Sequence, residues 1–141
     1  LVRQFRTDAT TVGLLSLSFS AAQFFASPVL GVLSDRYGRR PILLWSIFGT
    51  AIGHFLFGLA GSLPVMFAAR ILDGITGGNI STAQAYIADV TSPEQRTAGM
   101  GIVGAAFGAG FTVGPALGGM SVALFGPRFP AVAAAAIALL N

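Results

Sequence analysis

The chain has 141 residues, 54% hydrophobic and 9% charged, where a soluble domain carries about 25% charged residues. Eight Arg against five acids give a net charge of +3, with no Lys and no Cys, which excludes disulfides, thiolate metal sites and a phosphate-loop lysine. The Arg residues sit at the ends of apolar runs, so the basic balance fits membrane flanks and not nucleic acid.

Residues 9–34, 41–69 and 97–127 carry no charge, runs of 26, 29 and 31 residues. A helix needs about 20 apolar residues to cross a bilayer core, so each run is long enough. The reading is four complete spanning helices and part of a fifth, at 12–33, 41–60, 65–88, 99–124 and 130–141. The chain opens on Leu1 and stops at Asn141 within an apolar run, so a longer parent protein is expected.

The first helix carries Ser16, Ser20, Gln23 and Ser27 on one face. Gln23 lies near mid-helix, where its amide needs a partner in a cavity or at a helix interface. The charged turn 34–40 holds Asp35, Arg36, Gly38, Arg39 and Arg40. Three Arg would suffice as a positive-inside anchor, but that reading needs neither Asp35 nor the glycines at 31 and 38. Glycine lets the chain turn tightly between two helices, and Asp35 is placed to meet an Arg or a helix N-terminus.

The second helix holds His54, the one histidine, directly after Gly53. It is read either as a neutral side chain bonded to a neighbour or as a cavity residue able to titrate. The third helix contains Arg70 and Asp73, charges that cost at least about 2.5 kcal/mol each at a membrane centre. Three residues apart, they share a face and are placed to pair; continued, that face carries Gly77, Ser81, Gln84 and Ala88. In the polar connection 89–97, Ser92 and Gln95 have the spacing of a capping box. Pro93 suits the first helical position, and Glu94 favours the positive end of the helix dipole.

In the fourth helix Gly110, Gly114 and Gly118 recur every four residues. Such a stripe lets helix backbones approach closely, and Pro115 within it should bend the helix. Gly126-Pro127-Arg128 ends the helix before the next one starts near Pro130. The turns 34–40 and 89–97 share one side, with Arg36, Arg39, Arg40 and Arg96; Arg3, Arg6 and Arg128 share the other. The concentration of Arg in 34–40 places that turn in the cytoplasm.

Three of these segments resemble one family. Gly31-Val32-Leu33-Ser34-Asp35-Arg36-Tyr37-Gly38-Arg39-Arg40-Pro41-Ile42-Leu43 is similar to the signature loop between the second and third helices of major facilitator transporters, with Ser34 for Ala and Arg40 for Lys. Arg70-Ile71-Leu72-Asp73-Gly74 resembles a fourth-helix pattern implicated in proton coupling, with Asp73 in place of Gln. The run from Gly101 through Gly110, Gly114 and Pro115 to Gly118 and Gly119 resembles a fifth-helix motif found chiefly in exporters. The resemblance covers the whole chain and is closest to the drug/proton antiporters that include the tetracycline exporters.

The resemblance implies an all-α membrane bundle, here helices two to five and part of six of the N-terminal half. The first helix and the C-terminal half would be missing partners. It implies export of a small drug-like molecule across the cytoplasmic (inner) membrane in exchange for protons, by alternating access. No enzyme activity, cofactor or metal is expected. Asp35, Arg36, Gly38, Arg39, Arg40, Asp89 and Arg96 would form a conformational latch, and Arg70 and Asp73 would serve proton coupling. Gln23, His54 and Gln84 are cargo-cavity candidates. The resemblance also implies that the tetracycline exporters carry an aspartate at the position of Gly53. Its loss here should favour neutral or amphipathic cargo, or move the cation contact to Asp73. A nutrient importer and a non-transporting membrane subunit are the alternatives.

Overall fold

The computed structural model describes residues 9–140, and Arg3 and Arg6 lie outside them. Six helices follow in order: α1 (Ala9–Tyr37), α2 (Arg39–Leu59), α3 (Leu63–Gly77), α4 (Ile80–Val90), α5 (Pro93–Phe125) and α6 (Phe129–Leu140). Among the described residues there is no strand. Three helices, α1, α2 and α5, are long and apolar enough to cross a membrane. At about 1.5 Å per residue, the 33 residues of α5 outreach a hydrocarbon core of about 30 Å.

The boundaries differ from the sequence expectation in three places. The charged turn expected at 34–40 contracts to one residue: α1 runs on to Tyr37 and α2 begins at Arg39. Gly38 makes the corner at φ 97° and ψ 149°, a region open essentially to glycine alone. Gly126, between α5 and α6, has φ 89° and ψ 172° for the same reason.

The continuous helix expected at 65–88 is broken between Gly77 and Ile80. Gly78 is buried against the backbone of Ser27; a Cβ there would lie 3.1 Å from the Ser27 nitrogen. The Gly77 carbonyl at the break takes a hydrogen bond from Gln23 Nε2 at 2.9 Å. Two glycines followed by Asn79 lower the cost of interruption, and the side chain on α1 satisfies the carbonyl that the break frees.

The helix expected from 99 starts six residues earlier, at Pro93. Pro93 takes an early helical position, and the Ser92 carbonyl accepts the amides of Gln95 and Arg96 at 3.0 and 3.1 Å. The expected capping box does not form, because Ser92 makes no side-chain cap bond. The nearby Ser92 side chain holds the Glu94 carboxyl below its ordinary pKa.

Helix α3 is the centre of the bundle and packs on both α1 and α2, while α6 packs on α2. The crossings are made at small residues. Gly74 of α3 lies against the Phe19 carbonyl and Ala22 of α1. Gly49 and Gly53 of α2 lie against Thr76 and Asp73 of α3, and Gly58 lies against Ala131 and Val132 of α6. A tight cluster of Leu15, Ala60 and Met66, with Phe57, Leu63 and Phe67 around it, closes one end. Helix α5 stands apart: it touches α4 and α6, and none of its residues is buried.

Candidate functional site

The corner at Gly38 brings the end of α1 and the start of α2 beside the end of α4. Arg39 joins all three. Its Nη1 lies 2.5 Å from Asp35 Oδ1 and its Nε 3.0 Å from Asp89 Oδ2. The hydrogen bond to Asp89, then the charges of Asp35 and Asp89, hold the guanidinium above its ordinary pKa against desolvation. Nη1 also donates to Ser34 Oγ at 2.9 Å, and that buried hydroxyl donates to the Gly31 carbonyl at 2.8 Å. Ser34, read from the sequence only as a variant of Ala, is thus a member of the cluster. Arg96 stands one step away: its Nε donates to the Ala88 carbonyl at 3.1 Å, where a cation suits a helix C-terminus. Arg36 and Arg40 stay outside the cluster. Arg36 lies 5.5 Å from the ring centroid of its neighbour Tyr37, and Arg40 edges a surface groove with Trp45 and Phe48.

The second site lies inside the bundle. Arg70 Nη2 is 3.1 Å from Asp73 Oδ2, and His54 Nδ1 is 3.3 Å from Asp73 Oδ1. The Asp73 carboxylate is therefore shared between a guanidinium and an imidazole, with only 4% of its side chain exposed. Arg70 also lies over the Phe57 ring at 4.4 Å and near Phe19 at 5.7 Å, cation–π contacts that help hold a desolvated charge. His54 Nδ1 lies 2.9 Å from the Thr50 carbonyl. A carbonyl only accepts, so Nδ1 carries the hydrogen.

These three residues, with Gln23, line a cavity of about 620 Å³ whose far wall includes Phe107 and Phe111 of α5. Gln84 is exposed on α4 and does not line it. The break after Gly77 changes the helical phase, so the polar face expected to run from Arg70 through Ser81 and Gln84 stops at Asn79.

The glycines of the α5 motif, from Gly101 to Gly119, behave differently from those at the crossings of α2 and α3. A Cβ at Gly101, Gly110, Gly114, Gly118 or Gly119 would meet no described atom within 4 Å. The stripe makes no close helix contact among the described residues, and α5 runs unbroken through Pro115. The close approaches fall instead at Gly49, Gly53, Gly58, Gly74, Gly78 and Gly99. The four-residue spacing of Gly49 and Gly53 was open to reading in the sequence.

The profile of the Major Facilitator Superfamily matches residues 1–141. The chain is 41% identical to the class C tetracycline resistance protein of Escherichia coli over 133 residues, 94% of this chain and 33% of that protein. It is 38% identical to the class B tetracycline resistance protein of Escherichia coli over 124 residues, 86% of this chain and 31% of that protein. It is also 41% identical to major facilitator superfamily domain-containing protein 10 of Mus musculus over 106 residues, 75% of this chain and 23% of that protein. The chain thus spans a third or less of the length of these relatives.

Proposed function

This chain belongs to the Major Facilitator Superfamily, and we propose that it is part of an exporter that moves a small drug-like molecule across the cytoplasmic membrane in exchange for protons. Support for export comes from the relatives named for tetracycline resistance and from the glycine–proline run of α5. The observation that carries the reading is the Arg39 cluster, which ties the ends of α1, α2 and α4 together through Asp35 and Asp89.

Alternating access needs contacts that exist in one conformation and break in the other. A cluster of exposed charges at helix ends suits that role, because water compensates each partner when it opens. Arg39 with Asp35 and Asp89 would latch one state. Arg70 and Asp73 would serve proton coupling inside the cavity, and the remaining helices of the parent protein would complete the cargo site. Helix α5, with its open stripe, would be the surface that meets them. No covalent chemistry is required.

The cavity acid is already paired with Arg70, so it offers little net negative charge to a cationic cargo. Neutral or amphipathic cargo fits it better than a cationic metal–tetracycline complex. The test is a drug panel, tetracycline included, on cells expressing the full-length protein or its Asp35→Asn variant at equal level. Efflux of a neutral or amphipathic compound, lost in Asp35→Asn, is expected. Unchanged efflux in the variant removes the latch. Strong tetracycline resistance overturns the cargo assignment, and sugar uptake or no flux at all overturns export.

A further inference from the structure

We propose that His54 is a proton-binding site, with Asp73 as the residue that positions it and stabilises its charged form. The two ring nitrogens are placed for different tasks. Nδ1 is committed as a donor to the Thr50 carbonyl at 2.9 Å and to Asp73 Oδ1 at 3.3 Å. No described residue makes a hydrogen bond to Nε2, and His54 lines the 620 Å³ cavity. Its side chain keeps 27% exposure, against 4% for Asp73. The imidazole therefore has one nitrogen anchored on a carboxylate and the other without a hydrogen-bond partner among the described residues, on a ring that lines the cavity, the arrangement of a proton acceptor.

Charge arithmetic gives the consequence. Arg70 and Asp73 are the charged groups lining this cavity. Among the described residues the other elements bring only uncharged groups: Gln23 from α1, Asn79 from the turn before α4, Phe111 from α5 and Ala138 from α6. With His54 neutral, the Arg70–Asp73–His54 trio sums to zero. A proton arriving from the cavity forms the Nε2–H bond, and the trio becomes +1; its departure restores zero. Asp73 is already bridged to Arg70 at 3.1 Å, which leaves His54 as the member of the trio with an uncommitted nitrogen. Protonation of His54 thus changes the net charge that a cavity occupant meets from zero to +1. This deepens the transport reading by naming the seat of the coupling ion, and it rests on that reading for its purpose.

The experiment uses the full-length protein in lipid nanodiscs with ring-labelled histidine, titrated from pH 5 to 9 by NMR. His54→Gln assigns the His54 resonance, with His54→Asn in its place where the first variant does not fold. The expected result is a His54 signal that titrates in this range. In Asp73→Asn its midpoint moves down, a proton affinity weaker by about tenfold. A resonance that does not titrate, or whose midpoint is unmoved in Asp73→Asn, overturns the proposal. Efflux of ethidium from proteoliposomes under an imposed proton gradient is measured on the same preparation. Titration without efflux of any panel compound leaves the proton site standing and removes the transport reading.

Discussion

Gly38 and Gly53 show two ways in which a single hydrogen in place of a side chain shapes this molecule. Gly38 is held by its backbone: at φ 97° and ψ 149° any other residue is strained. Gly38→Ala should destabilise the protein by about 1–3 kcal/mol, read as a lower midpoint of thermal unfolding in detergent; an unchanged midpoint would show that the corner relaxes freely. Gly53 is held by its neighbour, since a Cβ there would sit 3.0 Å from Asp73 Cβ and 3.2 Å from the Asp73 backbone. The sequence suggested a missing cargo carboxylate at this position. Asp73 of the facing helix packs directly against this position. Gly53→Asp should therefore bring two acids together and lower the folded yield more than Gly53→Ala does. Size-exclusion yield at matched expression checks this, and a well-folded Gly53→Asp with higher tetracycline efflux would contradict it.

Helices α3 and α4 are two elements where a continuous apolar run suggested one. Their joint is held from α1 by Gln23, whose amide donates to the Gly77 carbonyl. Gln23→Leu keeps the bulk and removes the donor, leaving that carbonyl without its bond. A cost of about 1–3 kcal/mol is expected, together with faster amide hydrogen exchange in the first turn of α4. Exchange unchanged from the parent protein would mean that the joint holds itself. Helix α5 offers the opposite case, for its glycine stripe contacts nothing described. Gly114→Leu should leave the folding of these helices intact and still impair transport by blocking a close approach to the rest of the protein. Full transport by this variant would place the stripe against lipid.

Across the whole molecule, one guanidinium links three helix ends, so its charge matters more than its identity. Reversing Arg39 and Asp89 singly should each abolish most efflux, because two like charges are then opposed at the cluster. The double reversal, Arg39→Asp with Asp89→Arg, restores the α2–α4 attraction but leaves Asp35 facing an acid. Partial recovery of efflux is expected, rising when Asp35→Asn removes that repulsion. A double variant no better than either single one would detach the cluster from function. An attraction this exposed should also weaken with salt, so charge-variant effects should shrink in efflux assays at high ionic strength.

Composition and the spacing of charges by themselves determined that the chain is built of helices able to span a membrane. With 9% charge, no fold exposing most of its surface to water was open to it, and runs of 26 to 31 uncharged residues leave helices as the economical way to satisfy the backbone. The motif around Asp35 and Arg39 was equally legible, since its residues lie within one short turn. The partners were less so. Ser34 joined the cluster because Gly38 folds the chain back sharply. His54 met Asp73 because Gly53 lets α3 approach α2, nineteen positions on from one to the other. The break at Gly77 and Gly78 depended on a glutamine from another helix. Local pattern reports which residues share a helix face; which face meets which is decided by packing at small residues, and only the tertiary structure carries that.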